Sequence, residues 1–375
     1  MTQGVVSVKK ILILLITLVF VGGSGLGFAF VWANQEMEKQ ERVEEQQYVL
    51  PANHVPLERA IAERMLPQEL INGKDGRMPT YQVFIEGVLV GEFDTLEDAR
   101  TSSVGRNNVF IRLSGRNDAA WDNLPPFFVF DYEHAYTEFE KFEEAVSYAR
   151  NLPHAYIYHR RDQSLIWSSE ASRELPSEHR IWGVPMIYQL PYLARGCEVV
   201  SLAMLLNFVG VDVDKFQLAQ EIRINPVPAG VINGRIYMGN PRDGFIGNMY
   251  TFEEFGYGAY DGPIFELLQK YFPQSAVKLS GAEFEDLLQF VARDIPVWIV
   301  TNTRFHYLPP YQFITAHTPE GPIQITWRMH AVTITGFSEN RIYFNDPLGN
   351  ASSANRYQFI RAWQQMGSQA VTLSN

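Results

Sequence analysis

"LARGCEVVSLAMLLNFVG", residues 193–210, holds the only cysteine in 375 residues. A lone thiol closes no internal disulfide, so it is either a small buried hydrophobe or a reactive group. The stretch itself bears on the choice. Gly196 ends a loop, and residues 197–209 carry apolar side chains at helical spacing. Val199, Leu202, Ala203, Leu205, Leu206 and Val209 fall on the face expected to be buried. Cys197 therefore opens a helix, where the positive end of the dipole and unpaired N–H groups favour thiolate. A cysteine kept only for packing more often sits mid-helix. The position predicts a nucleophile with a thiol more acidic than usual.

A cysteine nucleophile needs a base. Of eight histidines, His306, His317 and His330 lie in the same C-terminal region. His306 and His317 sit in a Pro-rich excursion and read as solvated loop residues. His330 opens the strand "HAVTITGF", and a turn leads from it into "RIYFNDP". A three-residue loop at 338–340 would bring His330 and Asp346 level on one face of the hairpin. A carboxylate there would orient the imidazole, although Asp346 also suits the start of the "NDPLG" turn. Gln189, eight residues before Cys197, is a candidate oxyanion donor together with the Cys197 backbone N–H.

Around these residues the pattern predicts an α+β domain over 178–375. The helices come first: one from Cys197, then "DKFQLAQEI", "GPIFELLQKYF" with Pro263 in its first turn, and "SGAEFEDLLQFVARD" with Ser280 as cap. The strands "IPVWIVTN", "IQITW", "HAVTITGF" and "RIYFNDP" follow, and "RYQFIRAWQQMG" closes the chain as a helix. Between the second and third helices lies the loop "GNPRDGFIGNMY", 239–250. Its glycines permit close backbone approach, and Gly244, Phe245 and Tyr250 are the candidate substrate-binding residues, forming a cleft wall beside Cys197.

Four stretches in this order, "YQLPYLARGCEVVSLAMLLNFVG", "GNPRDGFIGNMY", "YGAYDGPI" and "HAVTITGFSENRIYFNDPLG", resemble the papain-like cysteine-peptidase family thirty-nine, and most of all its stand-alone, exported, C39-like branch. The resemblance covers roughly residues 180–375. It implies a papain-like fold with Cys197 as nucleophile, His330 as base, Asp346 as orienting acid and Gln189 in the oxyanion hole. Leader-cleaving members of that family are joined to an ATPase-bearing transporter, and no P-loop occurs here. The implied function is a thiol hydrolase acting on peptide or isopeptide bonds. A non-catalytic binding or scaffold protein on the same fold, and acyl transfer by the same residues, are the alternatives. No cofactor and no metal is expected: the chain has no HExxH and no close Cys/His cluster.

Upstream, "YQVFIEGVLVGEFDTLEDA" (81–99) aligns without gaps on "FFVFDYEHAYTEFEKFEEA" (127–145). Val83 falls on Val129, Phe84 on Phe130, Phe93 on Phe139, Ala99 on Ala145, Ile111 on Ile157 and Trp121 on Trp167. These shared apolar positions predict two strand–strand–helix–strand repeats, about 81–121 and 127–167, paired in one small α+β module over 76–172. "SSEASRELPSEHR" follows as a polar linker.

Residues 11–33 are uncharged, preceded by Lys9 and Lys10 and followed by the acidic, Gln-rich "NQEMEKQERVEEQQ". That length and flanking charge predict a transmembrane anchor over 1–34 with a cytoplasmic N-terminus, then a stalk over 35–75 and an extracellular catalytic domain. Cleavage of a signal peptide before Asn34, with secretion, is the alternative. The expected partners are the membrane and a peptide or protein substrate, cell-wall associated. The net charge of −11 argues against nucleic acid.

Overall fold

The computed structural model describes residues 80–116, 119–131 and 137–375. The expected anchor, cleavage site and stalk lie outside the described residues. Among the described residues, no helix is long and apolar enough to cross a membrane.

The described chain begins with two units of one topology. In the first, β1 (Tyr81–Ile85), β2 (Val88–Phe93), α1 (Leu96–Ser102), β3 (Val109–Leu113) and β4 (Ala119–Asp122) form a sheet of order β2-β1-β3-β4. Glu86 and Gly87 both take positive φ, which closes β1 onto β2 in a two-residue turn matched to strand twist. In the second, β5 (Phe127–Asp131), β6 (Thr137–Phe139), α2 (Phe142–Ala149), β7 (Ala155–His159) and β8 (Leu165–Ser168) have the order β6-β5-β7-β8. Each unit thus has a fourth strand beyond the expected three. Ile111 pairs with Trp121 and Ile157 with Trp167, and a bulge follows each pair.

The two units do not share a core. Val83, Ala99, Val109 and Ile111 form a small cluster of their own. Phe127, Phe142 and Trp167 instead belong to the main core, continuous with the C-terminal region. The expected linker is structured too: Ser168 caps a short helix, α3 (Ser169–Arg173), through its hydroxyl and the Ala171 N–H.

The C-terminal region is an α+β fold. β9 (His179–Arg180) precedes α4 (Cys197–Phe208) and α5 (Lys215–Glu221). Short strands β10 (Gly230–Ile232), β11 (Arg235–Tyr237), β12 (Ile246–Gly247) and β13 (Gly256–Gly258) come next, so helices do not all precede strands as expected. α6 (Asp261–Tyr271), β14 (Ala276–Lys278) and α7 (Phe284–Val291) follow. The remainder is β15 (Val297–Asn302), β16 (Ile314–Thr318), β17 (Gly321–Ile325), β18 (Met329–Phe337), β19 (Arg341–Asn345), β20 (Ser353–Asn355), α8 (Arg356–Gln365) and β21 (Ala370–Leu373).

The main sheet is antiparallel, of order β14-β21-β15-β18-β19-β20, with β9 also paired to β18. All nine residues of β18 are buried, and α4 and α7 both pack on that strand. α4 departs from the expected amphipathic helix. Every residue from 197 to 206 is buried, polar Glu198 and Ser201 included, because the helix runs through the core. Ser201 settles its polar groups locally: its hydroxyl donates to the Ala331 carbonyl, and its own carbonyl accepts from Thr333 Oγ1 at 2.7 Å. Ser280 is not the cap of α7. Glu283 is, in a reciprocal capping box with Asp286, while the Ser280 hydroxyl donates to Asp261.

Candidate active site

The loop before α4 reaches the helix at Gly196, where a side chain would collide with Leu193. Cys197 is the first helical residue and is only 6% exposed. Its Sγ donates to Oε2 of Glu198 at 3.2 Å, and the backbone N–H of Ala331 points at the same sulfur. The start of α4 is thereby held against the start of β18, beside His330.

His330 is buried, and its Nε2 lies 2.6 Å from Oδ1 of Asp346. The two are not level in the hairpin. Residues 338–340 connect the strands as expected, but Phe337 pairs with Ile342 rather than Arg341, and a bulge between Ile334 and Gly336 then shifts the register. Beyond it Thr333 pairs with Asn345, so the shorter side chain of Asp346 approaches the ring from beyond the end of β19. Asp346 also organises its turn. Oδ1 accepts from the Leu348 N–H at 2.9 Å and Oδ2 from that of Asn350 at 3.0 Å. The carboxylate that contacts His330 is thus the same one that holds the turn. Burial would raise its pKa, but the bond to His330 and the backbone N–H groups outweigh that and hold it below the ordinary range. With Nε2 engaged, Nδ1 is the ring nitrogen through which His330 can exchange a proton with a reacting group.

The thiol is not the acidic group expected from its helix position. Burial, and after it the neighbouring Glu198 carboxylate, push Cys197 well above the usual value, and the Ala331 N–H only partly offsets this. Removal from water outweighs the dipole because the sulfur sits inside the core.

Gln189 is buried, with its backbone N–H bonded to the Pro347 carbonyl next to Asp346. Its side-chain Nε2 donates to the carbonyls of Leu193 at 3.2 Å and Ala194 at 3.1 Å. As it stands, that amide is committed to the loop that carries the thiol.

The 239–250 loop divides in two. Met249 accepts from the N–H of Arg195, and Asn248 accepts from its guanidinium, which puts this end two residues from Cys197. Tyr250 here is half exposed. Gly244 and Phe245 do not line a cleft. Phe245 is fully buried, and its backbone pairs with residues 223–225, against which Gly244 leaves no room for a side chain. Among the other histidines, His317 lies on β16 with its ring stacked on Tyr237, and Nδ1 of His306 lies 2.9 Å from the Tyr307 carbonyl.

Glu198 was missed from the sequence. It is fully buried, and Oε1 accepts from the Ala259 N–H at 2.7 Å while Oε2 faces the thiol. Burial lifts its pKa to about 7. The available signal was a single charge inside an otherwise apolar helical run.

An α+β sheet domain with a thiol at a helix start, and on the adjoining strand a buried histidine bonded to a carboxylate from the end of the next strand, defines a papain-like cysteine-peptidase fold. The chain belongs to the Peptidase_C39 like family, whose model matches residues 181–371. It is 36% identical over 209 residues to the uncharacterized protein YvpB of Bacillus subtilis (strain 168), covering 55% of this chain and 80% of that protein. It is also similar to a crystal structure of a candidate C39-like peptidase from Bacillus anthracis, with 42% identity and a TM-score of 0.48 over 53% of this chain and 98% of that one. Family membership points to hydrolase chemistry of the cysteine-peptidase type.

Proposed function

We infer that the protein is a thiol hydrolase that cleaves peptide or isopeptide bonds, with Cys197 as nucleophile, His330 as general base and Asp346 as the group that orients His330. One observation carries this reading: the buried 2.6 Å contact between Asp346 and His330, the latter on the strand against which the thiol-bearing helix is packed. In this mechanism the thiol proton passes to Nδ1 of His330, and the sulfur attacks the substrate carbonyl. The imidazolium then protonates the leaving amine, and water releases the acyl group. The Cys197 backbone N–H is the first oxyanion donor; Gln189 joins it once its amide turns from Leu193 and Ala194.

The substrate class proposed is an exported or cell-wall peptide, and the enzyme is tethered to the outer face of the membrane. Both rest on the charge and hydropathy of residues 9–47, where Lys9 and Lys10 precede an uncharged run and an acidic segment.

The test is hydrolysis of a panel of cell-wall peptides and exported proteins by the full chain and by Cys197→Ala and His330→Ala. Loss of turnover by about 10⁴-fold in both variants is expected. Equal turnover in wild type and Cys197→Ala overturns the reading.

A second reading, a binding protein that retains the fold without the activity, is favoured by the near-complete burial of the Cys197 thiol. An acyl-enzyme trapped on Cys197 excludes it.

A further inference from the structure

Glu198 is a buried titratable group for which the hydrolase mechanism has no use. Its carboxyl is fully buried, and its two oxygens have separate partners. Oε1 accepts from the Ala259 N–H at 2.7 Å, and Oε2 is the acceptor for the thiol of Cys197 at 3.2 Å. The backbone of Glu198 is pinned as well, its carbonyl accepting from Trp298 Nε1 at 3.0 Å. Gly258 and the methyl of Met329 close over Oε1, so a side chain at position 258 would strike both. The carboxyl therefore has one orientation, with Oε2 turned to the sulfur.

The groups facing it include no compensating cation. Across the site stand Cys197 itself and, on and beyond β18, His330 and Asp346. Tyr257, whose hydroxyl lies 3.0 Å from that of Tyr260, faces it from β13 and is held neutral by burial. Arg195, three residues upstream, commits its guanidinium to the carbonyls of Asn248 and Thr251. Among the described residues Glu198 has no ion pair with a lysine or arginine.

We propose that Glu198 is the proton switch of the thiol. Ionised, Oε2 accepts the S–H bond and holds the proton on sulfur, turned away from His330. Protonated, Oε2–H becomes a donor to the sulfur, the thiol proton passes to Nδ1 of His330, and a thiolate–imidazolium pair forms with no net change in protons. The Ala259 N–H bond enforces this. It occupies Oε1 as an acceptor in either state, which leaves Oε2 as the oxygen that carries the proton.

The direction follows from the charges. A carboxylate hydrogen-bonded to the sulfur opposes a second negative charge there, whereas a carboxylic acid donating to it supports one. Burial already brings the Glu198 pKa to about 7, so the switch operates near neutrality. The site is set for use in mildly acidic surroundings and is restrained above neutral pH. This deepens the hydrolase reading and rests on Cys197 being its nucleophile.

The experiment follows the single thiol directly. Thiolate ultraviolet absorbance and the rate of iodoacetamide labelling of Cys197 are measured against pH in the full chain and in Glu198→Gln. The glutamine amide retains an acceptor for Ala259 and donates permanently to the sulfur. A fall of at least about one unit in the thiolate midpoint is expected, with roughly tenfold faster labelling at pH 8. Superimposable curves overturn the proposal. Should the variant fold poorly, infrared titration of the wild type serves: a buried carboxylic-acid band vanishing with a midpoint near 7 supports the switch, and its absence at pH 5 overturns it. Hydrolysis is measured on the same samples. A shifted thiol without turnover in either protein sinks the nucleophile reading and leaves the proton coupling standing. Turnover without a shift does the reverse.

Discussion

Nε1 of Trp167 donates to Oδ1 of Asp286 at 2.9 Å, joining β8 of the second unit to α7 of the papain-like fold. The other oxygen of the same carboxylate meets Arg150 at 2.5 Å, and Phe142 packs edge-on to Phe290 nearby. Ser168 and Gln289 complete the seam. The second unit is built into the core of the papain-like fold, whereas the first keeps a separate core.

Asp286→Ala should accordingly destabilise the protein by about 2–4 kcal/mol, because it leaves the Trp167 indole N–H buried without its acceptor and Arg150 without its buried partner. Asp286→Asn, which keeps an acceptor for Trp167, should cost less. Denaturant melts of both variants measure this. A change below about 0.5 kcal/mol for the alanine variant would mean the seam is not structural.

Phe245→Ala separates a core role from a cleft role for this ring of the 239–250 loop. A fully buried ring removed from the core should cost about 3–5 kcal/mol. Substrate KM, measured well below the melting transition, should stay within about threefold of wild type, a difference under 1 kcal/mol. A large KM effect with unchanged stability would return Phe245 to the cleft.

Asp346→Asn should lower kcat by about 10²–10⁴-fold, since the amide no longer fixes the tautomer and charge of His330. Stability gives an independent sign. The folded pKa of Asp346 is depressed, so its contribution is present above the unfolded carboxylate value and is lost as pH falls through the folded one. The stability gap between wild type and variant should therefore narrow in acid. A gap that widens there would refute the assignment.

Glu198 has the opposite sign. Its folded pKa is raised from 4.5 to about 7, so its contribution is complete below 4.5 and is lost as pH rises to about 7. Glu198→Gln should gain on wild type across that interval, by up to about 3 kcal/mol at pH 8. Thermal melts from pH 4 to 8 decide it, and a difference independent of pH would show that the carboxyl does not ionise within the folded protein.

The helix that begins at Cys197, the strand that carries His330, the approach of Asp346 to that histidine, and the apolar positions shared by the two N-terminal units were all legible in the linear chain. Each of these is carried by local spacing or by the order of short stretches, which a linear chain displays directly. What surrounds them is set by packing between distant segments. An offset pairing at the turn and a bulge set how Asp346 reaches the ring. The second unit, and not the first, joined the main core, since Trp167 and Asp286 meet only after folding. Phe245 went inward and Tyr250 outward although both are aromatic residues of one loop. The thiol, placed by sequence where a helix dipole should make it acidic, became a weak acid beside Glu198, because burial removes the water on which that charge depends. Desolvation is a property of everything packed around a group, and no spacing along the chain records it.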